Sequence, residues 1–471
     1  MNTPLQREVS EVFRLATPVA ISQVGMMLMG VVDSMMLGRL SAEALAAGAL
    51  GNSISIGLTI FPMGVLLALG PLVSQAHGAG DSERVAVRFQ QGLVLAVAFS
   101  IPLSLLMWAN EAVMEFTGQN PQVGQLATTY LRALIPGNVV FLLFVAVRET
   151  LQAKSLVREA LWAILVGNLV NVVANYALIF GKLGVPAYGV LGSGWATSIS
   201  RSVMFFTLVG AAWRHLRPSL SLRPRVWSVR GYRQMLTLGI PSGMQLALEL
   251  WLFVAVTLMM GNLGAKELAA HQIALNLASL TFMVPLGISG AAVTRVGQAI
   301  GRGEPEKAKR SAAVCLALGG SAMSVFGLLF YFAPGLLSRL YTPDREVIAV
   351  AVTLIPIAAV FQVFDGLQVV SVGSLRGTGD TRTPAFIALI GFWFLGLPLG
   401  WWLAYNRDLG APGLWWGLTT GLCSVAVLLL LRMWARFRQP LEALEDPDQT
   451  PPDEDRDEPK SSPPGATQAP H

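Results

Sequence analysis

Residues 236–260 read LTLGIPSGMQLALELWLFVAVTLMM, and the sense of the chain turns on one letter in them, Glu249. Between Arg233 and Lys266 it is the only ionisable residue. A helix through this stretch crosses roughly 30 Å of hydrocarbon, which puts Glu249 near the middle of a bilayer. An acid at that depth costs about 2.5 kcal/mol or more, so it marks an ion or substrate path rather than idle decoration. The rest of the chain agrees with a membrane setting. Of 471 residues 53% are hydrophobic and 13% charged, and the mean hydropathy is +0.57. Soluble domains carry about twice that share of charge.

Working outward, twelve apolar runs each have the length of a spanning helix. They lie near 12–37, 47–73, 90–109, 125–148, 160–180, 189–212, 236–260, 270–294, 311–333, 347–373, 384–405 and 411–434. The expected fold is an all-α polytopic membrane protein with twelve transmembrane helices. Its domains are a six-helix bundle over 1–213, a basic linker over 214–234, a second bundle over 235–439 and an acidic, proline-rich tail over 440–471. Trp213–Gln234 holds six arginines and no acid, so the positive-inside rule puts that loop and both termini in the cytoplasm. The first run has no cleavage-site pattern ahead of it and reads as a retained helix. The tail carries eight prolines and nine acids, a composition expected to stay disordered.

The two bundles are copies. At an offset of 223 residues, Leu15-Ala-Thr-Pro18 falls on Leu238-Gly-Ile-Pro241 and VSQAHGAGDSE (Val73–Glu83) falls on VGQAIGRGEPE (Val296–Glu306). Pro62 and Gly64 match Pro285 and Gly287. Six-helix halves that start on the same side are parallel repeats, the plan of transporters that rock two bundles about a central cleft. The acids escape the repeat: Glu249 falls on Met26, Asp33 on Val256, and Asp365 near Val145.

The candidate residues cluster around these three carboxylates. Asp33 lies at a similar depth to Asn175, and Asn168, Asn171 and Asn175 share one face of the fifth helix. Glu249 and Asp365 both sit near their helix midpoints. Gln245 stands one turn before Glu249, Gln362 and Gln368 flank Asp365, and Gln272 and Asn276 share a face of the eighth helix. Carboxylates with amide oxygens suit a hard monovalent cation, with Glu249 and Asp365 as candidate Na+ ligands, or a shared proton. The competing reading makes these polar groups mere glue between helices.

Other charged residues read as peripheral. His271 opens the eighth run as a boundary residue, Arg376 ends the tenth in keeping with topology, and Glu149 is a solvated or paired acid near Arg148 and Lys154. Cys315 and Cys423 lie inside apolar runs, the four histidines are scattered, and neither an enzyme active site, a cofactor motif nor a nucleic-acid motif is visible.

The stretches LATPVAISQ, VVDSMMLG, KELAAHQIALN, FQVFDGLQVVSVGSLRGTGD and VGQAIGRGEPEKA carry a resemblance. Over residues 10–438 the chain resembles the multidrug and toxic compound extrusion (MATE) family, in its NorM-type bacterial branch. The resemblance implies a monomeric inner-membrane antiporter that exports cationic, zwitterionic or amphipathic drugs in exchange for Na+ or H+. It also implies that Asp33, with Asn171 and Asn175, and the pair Glu249 and Asp365 are the coupling acids. Phe361, one turn before Asp365, and the acidic tail depart from the family pattern. Two rivals remain at this point. A flippase for lipid-linked saccharides would want cations in its cavity, where only Arg132 and Arg201 lie part-way inside a run. The two-fold repeat with its asymmetric buried acids argues against a non-transporting receptor or scaffold.

Overall fold

A computed structural model describes residues 4–110, 120–221 and 223–448. Its twelve long helices follow the twelve apolar runs: α1 Pro4–Gly38, α2 Ala42–Gly78, α3 Ser82–Trp108, α4 Pro121–Ala153, α5 Arg158–Phe180, α6 Gly189–Ala211, α7 Val229–Leu263, α8 Ala265–Gly301, α9 Pro305–Phe332, α10 Arg345–Gly377, α11 Arg382–Tyr405 and α12 Gly410–Arg438. Eleven among the described residues are long and apolar enough to cross a membrane. The other is α6, whose 23 residues include Arg201 and four serines.

Most helices overrun their apolar runs, because polar ends carry the helix out of the hydrocarbon. Side-chain caps start several of them. Ser41 accepts from Ala44 N (3.0 Å) and Asp81 from Arg84 N (2.8 Å), meeting orphan donors of the first turn. Two helices are irregular. The hydrogen-bond pattern of α2 breaks between Leu66 and Leu69, and α11 winds as a π-helix over Leu389–Gly396. Such a wide turn is frequent at functional sites, and here Trp393 on it donates from Nε1 to the carbonyl of Leu248, 3.2 Å away.

Each half has its own apolar core. A third core, with Val12 and Leu15 of α1 against Ile288 and Ala292 of α8, joins them. The repeat becomes physical at the end of the bundle that carries Pro4, the basic linker and Arg438. There the backbone of Gly78 lies against the carbonyl of Gln298, and the backbone of Gly301 against the carbonyl of Gln75. These four positions interchange under the offset of 223, so one contact is made twice about a two-fold axis. The two glutamines act alike as well. Gln75 Nε2 donates to Gly377 O (2.9 Å) at the end of α10, and Gln298 Nε2 to Ala153 O (2.8 Å) at the end of α4. Gly80 (φ 75°) and Gly303 (φ 70°) then end α2 and α8 in the left-handed region, where only glycine sits without strain. Deeper in, Gly64 meets Gly243 and Gly287 meets Ala20, again exchanged by the same offset. The motif found as a repeat is a symmetric seal between the halves.

Two arms cross that seal. From the first half, Glu8 takes a bidentate grip from Arg295 of α8 (3.0 and 2.7 Å) and a bond from Ser311 of α9 (2.6 Å). From the second half, residues 441–448 lie back over the basic end. Leu444 N donates to Gln75 Oε1 (2.7 Å), Arg84 donates to Leu444 O, Gln234 donates to Glu445 O (3.0 Å), and Leu441 is buried. This corrects the expectation of disorder from residue 440 onward; the part of that expectation covering 449–471 falls outside the described residues. The basic linker is likewise docked rather than loose. Gln90 Nε2 on α3 holds the carbonyls of Ser219 (2.6 Å) and Ser221 (2.8 Å).

Candidate functional site

Asp33 lies in a closed polar knot of the first half. Its Oδ1 accepts from Asn171 Nδ2 (3.0 Å) and Asn175 Nδ2 (2.6 Å), and its Oδ2 from Thr197 Oγ1 (2.8 Å). The carboxylate and both amides are buried. The i, i+4 spacing of Asn171 and Asn175 on α5 delivers both donors to one oxygen. Asn168 does not join them: it donates to the carbonyls of Gly25 and Ile164, both at 2.9 Å, and ties α5 to α1. Thr197, on α6, was missed from the sequence, since a lone threonine in an apolar run carries no distinguishing signal.

Glu249 stands in different company. Its Oε1 accepts from Gln245 Nε2 (3.1 Å) one turn back on α7 and from Gln368 Nε2 (2.9 Å) on α10, while no described residue donates to its Oε2. It is half-buried and lies on the wall of two cavities at once. The first, about 270 Å³, runs between the halves and is lined by α1, α2 and α4 on one side and α7, α8 and α10 on the other. The second, about 230 Å³, lies wholly within the second half and holds Asp365. Asp365 is buried, and no hydrogen bond reaches it from the described residues. Around it Phe361 stands edge-on to Phe253 (6.3 Å between ring centres) and to Trp415 (6.0 Å), so the departure at Phe361 becomes part of an aromatic wall. An ionised carboxylate has room for about four hydrogen bonds, so these two acids together present open acceptor capacity to a cation or proton. Among the described residues no three His, Cys, Asp or Glu side chains converge as a metal cluster.

The amides expected around these acids divide. Gln245 and Gln368 serve Glu249. Gln362, beside Asp365 in sequence, is fully buried and donates instead to Thr281. Gln272 and Asn276 share a face as expected, but it is an exposed face of α8 and lines neither cavity.

Two residues read as peripheral, His271 and Arg376, are not, and Glu149 is the paired acid expected. His271 is fully buried, its Nε2 is 3.0 Å from Thr257 Oγ1, and its ring meets Trp415 edge-on. Glu149 is buried, accepts from Arg148 Nη2 (2.9 Å), and lines the central cavity together with Arg148. Arg376 lines the same cavity. The charges facing the central cleft are therefore of both signs. Depth along a helix is visible in sequence, whereas the direction a side chain takes around the helix is not, and His271 and Arg376 were misjudged on that account. Arg201 lies between helices of its own half, bonded to Asn138 and stacked over Phe141.

The model of the MatE family matches residues 18–177 and 241–402, two segments whose starts are separated by the repeat offset. The chain is 39% identical over 443 residues to "Multidrug resistance protein NorM" of Burkholderia vietnamiensis, covering 91% of this chain and 94% of that protein. It is 37% identical over 458 residues to "Probable multidrug resistance protein NorM" of Mesorhizobium japonicum, with 92% and 95% covered. Among solved structures, the crystal structure of eukaryotic MATE transporter AtDTX14 superposes with a TM-score of 0.84 at 25% identity, over 92% of this chain and 99% of that one.

Proposed function

The chain belongs to the MatE family, and from that premise we propose that it is a multidrug efflux antiporter, exporting cationic or amphipathic compounds in exchange for Na+ or H+. The observation that carries this reading is the position of Glu249 on the wall shared by the central cavity and the Asp365 cavity. A drug in the central cavity and a coupling ion beside Asp365 then compete for one carboxylate. Occupancy of one side releases the other, which is the condition for antiport.

Asp33 is the first half's exchangeable acid in this scheme. A proton or cation there would loosen the grip of α1 on α5 and α6, since its three donors satisfy the ionised form. The basic end faces the cytoplasm of a bacterial inner membrane, both termini lie on that side, and the protein works as a monomer. The symmetric seal is then the gate that parts when the halves rock. The drive is sufficient: one charge crossing 100 mV supplies about 2.3 kcal/mol, and a tenfold uphill drug gradient needs about 1.4 kcal/mol.

The test is dye efflux from proteoliposomes under imposed Na+ and pH gradients applied one at a time. Export that follows at least one gradient is expected. Export indifferent to both would end the antiport reading. The flippase reading gains from Arg148 and Arg376 in the cleft, but Glu149 and Glu249 share the same walls and oppose a pyrophosphate.

A further inference from the structure

Arg376 is an anomaly among the cations of the basic end that are not fully exposed. Arg295 is held by Glu8 and Glu11, Arg432 by Asp380 (2.8 Å), and Arg148 by Glu149 and Gln23. Arg376 sits on the last turn of α10, half-buried, with no hydrogen bond and no ion pair to any described residue. Its nearest acid in sequence, Asp380, is taken by Arg432. Its guanidinium nitrogens keep access to the cavity while no described group accepts from them, so its five donors stand open to whatever enters. Topology alone would let this side chain extend to the headgroups, yet it lines the central cavity instead.

The charges around that cavity leave a definite remainder. Two bases, Arg148 and Arg376, and two acids, Glu149 and Glu249, line it. Glu149 is neutralised by Arg148 at 2.9 Å. What is left is a free carboxylate at mid-depth, Glu249, and a free guanidinium at the sealed end, Arg376. The acids whose charge Arg376 feels are Glu149 and Glu249, neither in contact with it.

We propose that Arg376 is an anion subsite of the central cavity, taking the carboxylate of an amphiphile whose cationic group lies toward Glu249. The proposal rests on the efflux reading of that cavity and adds to it a residue that sets specificity. Planar guanidinium and carboxylate groups pair through two parallel hydrogen bonds, which fixes orientation as well as affinity. A zwitterion satisfies both free charges of the cavity. A simple monocation leaves Arg376 unpaired, and a dication is repelled by it.

The experiment uses one dye scaffold in two charge forms: rhodamine 110, with its free carboxylate, and its methyl ester, rhodamine 123. Binding to the purified full chain is read by fluorescence anisotropy and export from proteoliposomes. Arg376→Gln is expected to weaken binding of the acid roughly tenfold and the ester less than about twofold, while Arg376→Lys keeps most of the acid's binding as a point charge. Ester binding in each variant certifies its fold. If Arg376→Gln affects the two dyes equally, or neither, the subsite is wrong while the efflux reading stands. If the unaltered protein binds and exports neither dye, the efflux reading fails and the subsite fails with it.

Discussion

At the basic end the two halves close on each other through paired contacts that exchange under the repeat, and at mid-depth they do not. Gln75 and Gln298 each donate to a carbonyl at the end of a helix in the other half, and Gly78 and Gly301 accept the same close approach. The acids were placed singly. Asp33 is enclosed by three donors, whereas Glu249 has one oxygen without a donor and Asp365 has no donor at all among the described residues. An acid whose lone pairs are filled by its own protein must give up those bonds before it takes a proton or cation. An acid with lone pairs open to a cavity is available to something that comes and goes. On the proposed antiport reading, the symmetric parts serve motion and the asymmetric parts serve exchange.

The severest way to break this contrast is to remove the open acids. Glu249→Gln or Asp365→Asn should lower gradient-driven dye export about 100-fold, equivalent to about 2.8 kcal/mol, with insertion and yield unchanged. Full export by both variants would take them out of the mechanism. The next blow falls on the seal. Gly78→Val or Gly301→Val forces a side chain into a neighbouring carbonyl, at about 1–3 kcal/mol of overpacking. The two substitutions should shift the distance between spin labels at the basic ends of α2 and α8 alike, and unequal shifts would deny that the seal is two-fold.

Asp33→Asn tests the closed knot. With one acceptor oxygen replaced by a donor group, thermal stability should fall by about 1–2 kcal/mol, and export should fall clearly less than in Glu249→Gln. A loss of export equal to that of Glu249→Gln would erase the distinction between the halves. The mildest probe is truncation after Gln439, which removes the docked segment. It should raise reactivity of a cysteine placed at position 75 toward a polar maleimide about threefold to tenfold, the equivalent of about one lost hydrogen bond.

Much of this was legible in the sequence for a physical reason: bilayer thickness and backbone satisfaction impose run lengths, and duplication leaves a constant offset. The twelve spans, the repeat, the Asp33 knot with Asn171 and Asn175, and the Gln245–Glu249 bond all follow from spacing along helices. What escaped depends on azimuth or on backbone atoms. Arg376 stands near a helix end, where either lipid headgroups or a cleft could receive it, and only the packing of α10 decides. Gln368 flanks Asp365 in sequence yet crosses to Glu249 in space. The docking of residues 441–448 combines the backbone of Leu444 and Glu445 with side chains: Asp448 accepts from Ser228, Asp446 lies 4.0 Å from Arg88, and Leu441 is buried. The backbone share of that contact is the same in every sequence, and the partners of the two acids lie far away along the chain, so composition alone gave no sign of it.

The crossed arms carry a consequence for how the molecule could be divided. The amino-terminal arm grips the second half through Glu8 and Arg295, and the carboxy-terminal arm grips the first half through Gln75 and Arg84. A chain cut in the linker between Ala211 and Val229 would leave two fragments, each carrying the clasp for the other. Co-expressed, they have the means to find one another and to reassemble without the covalent bridge that evolution kept.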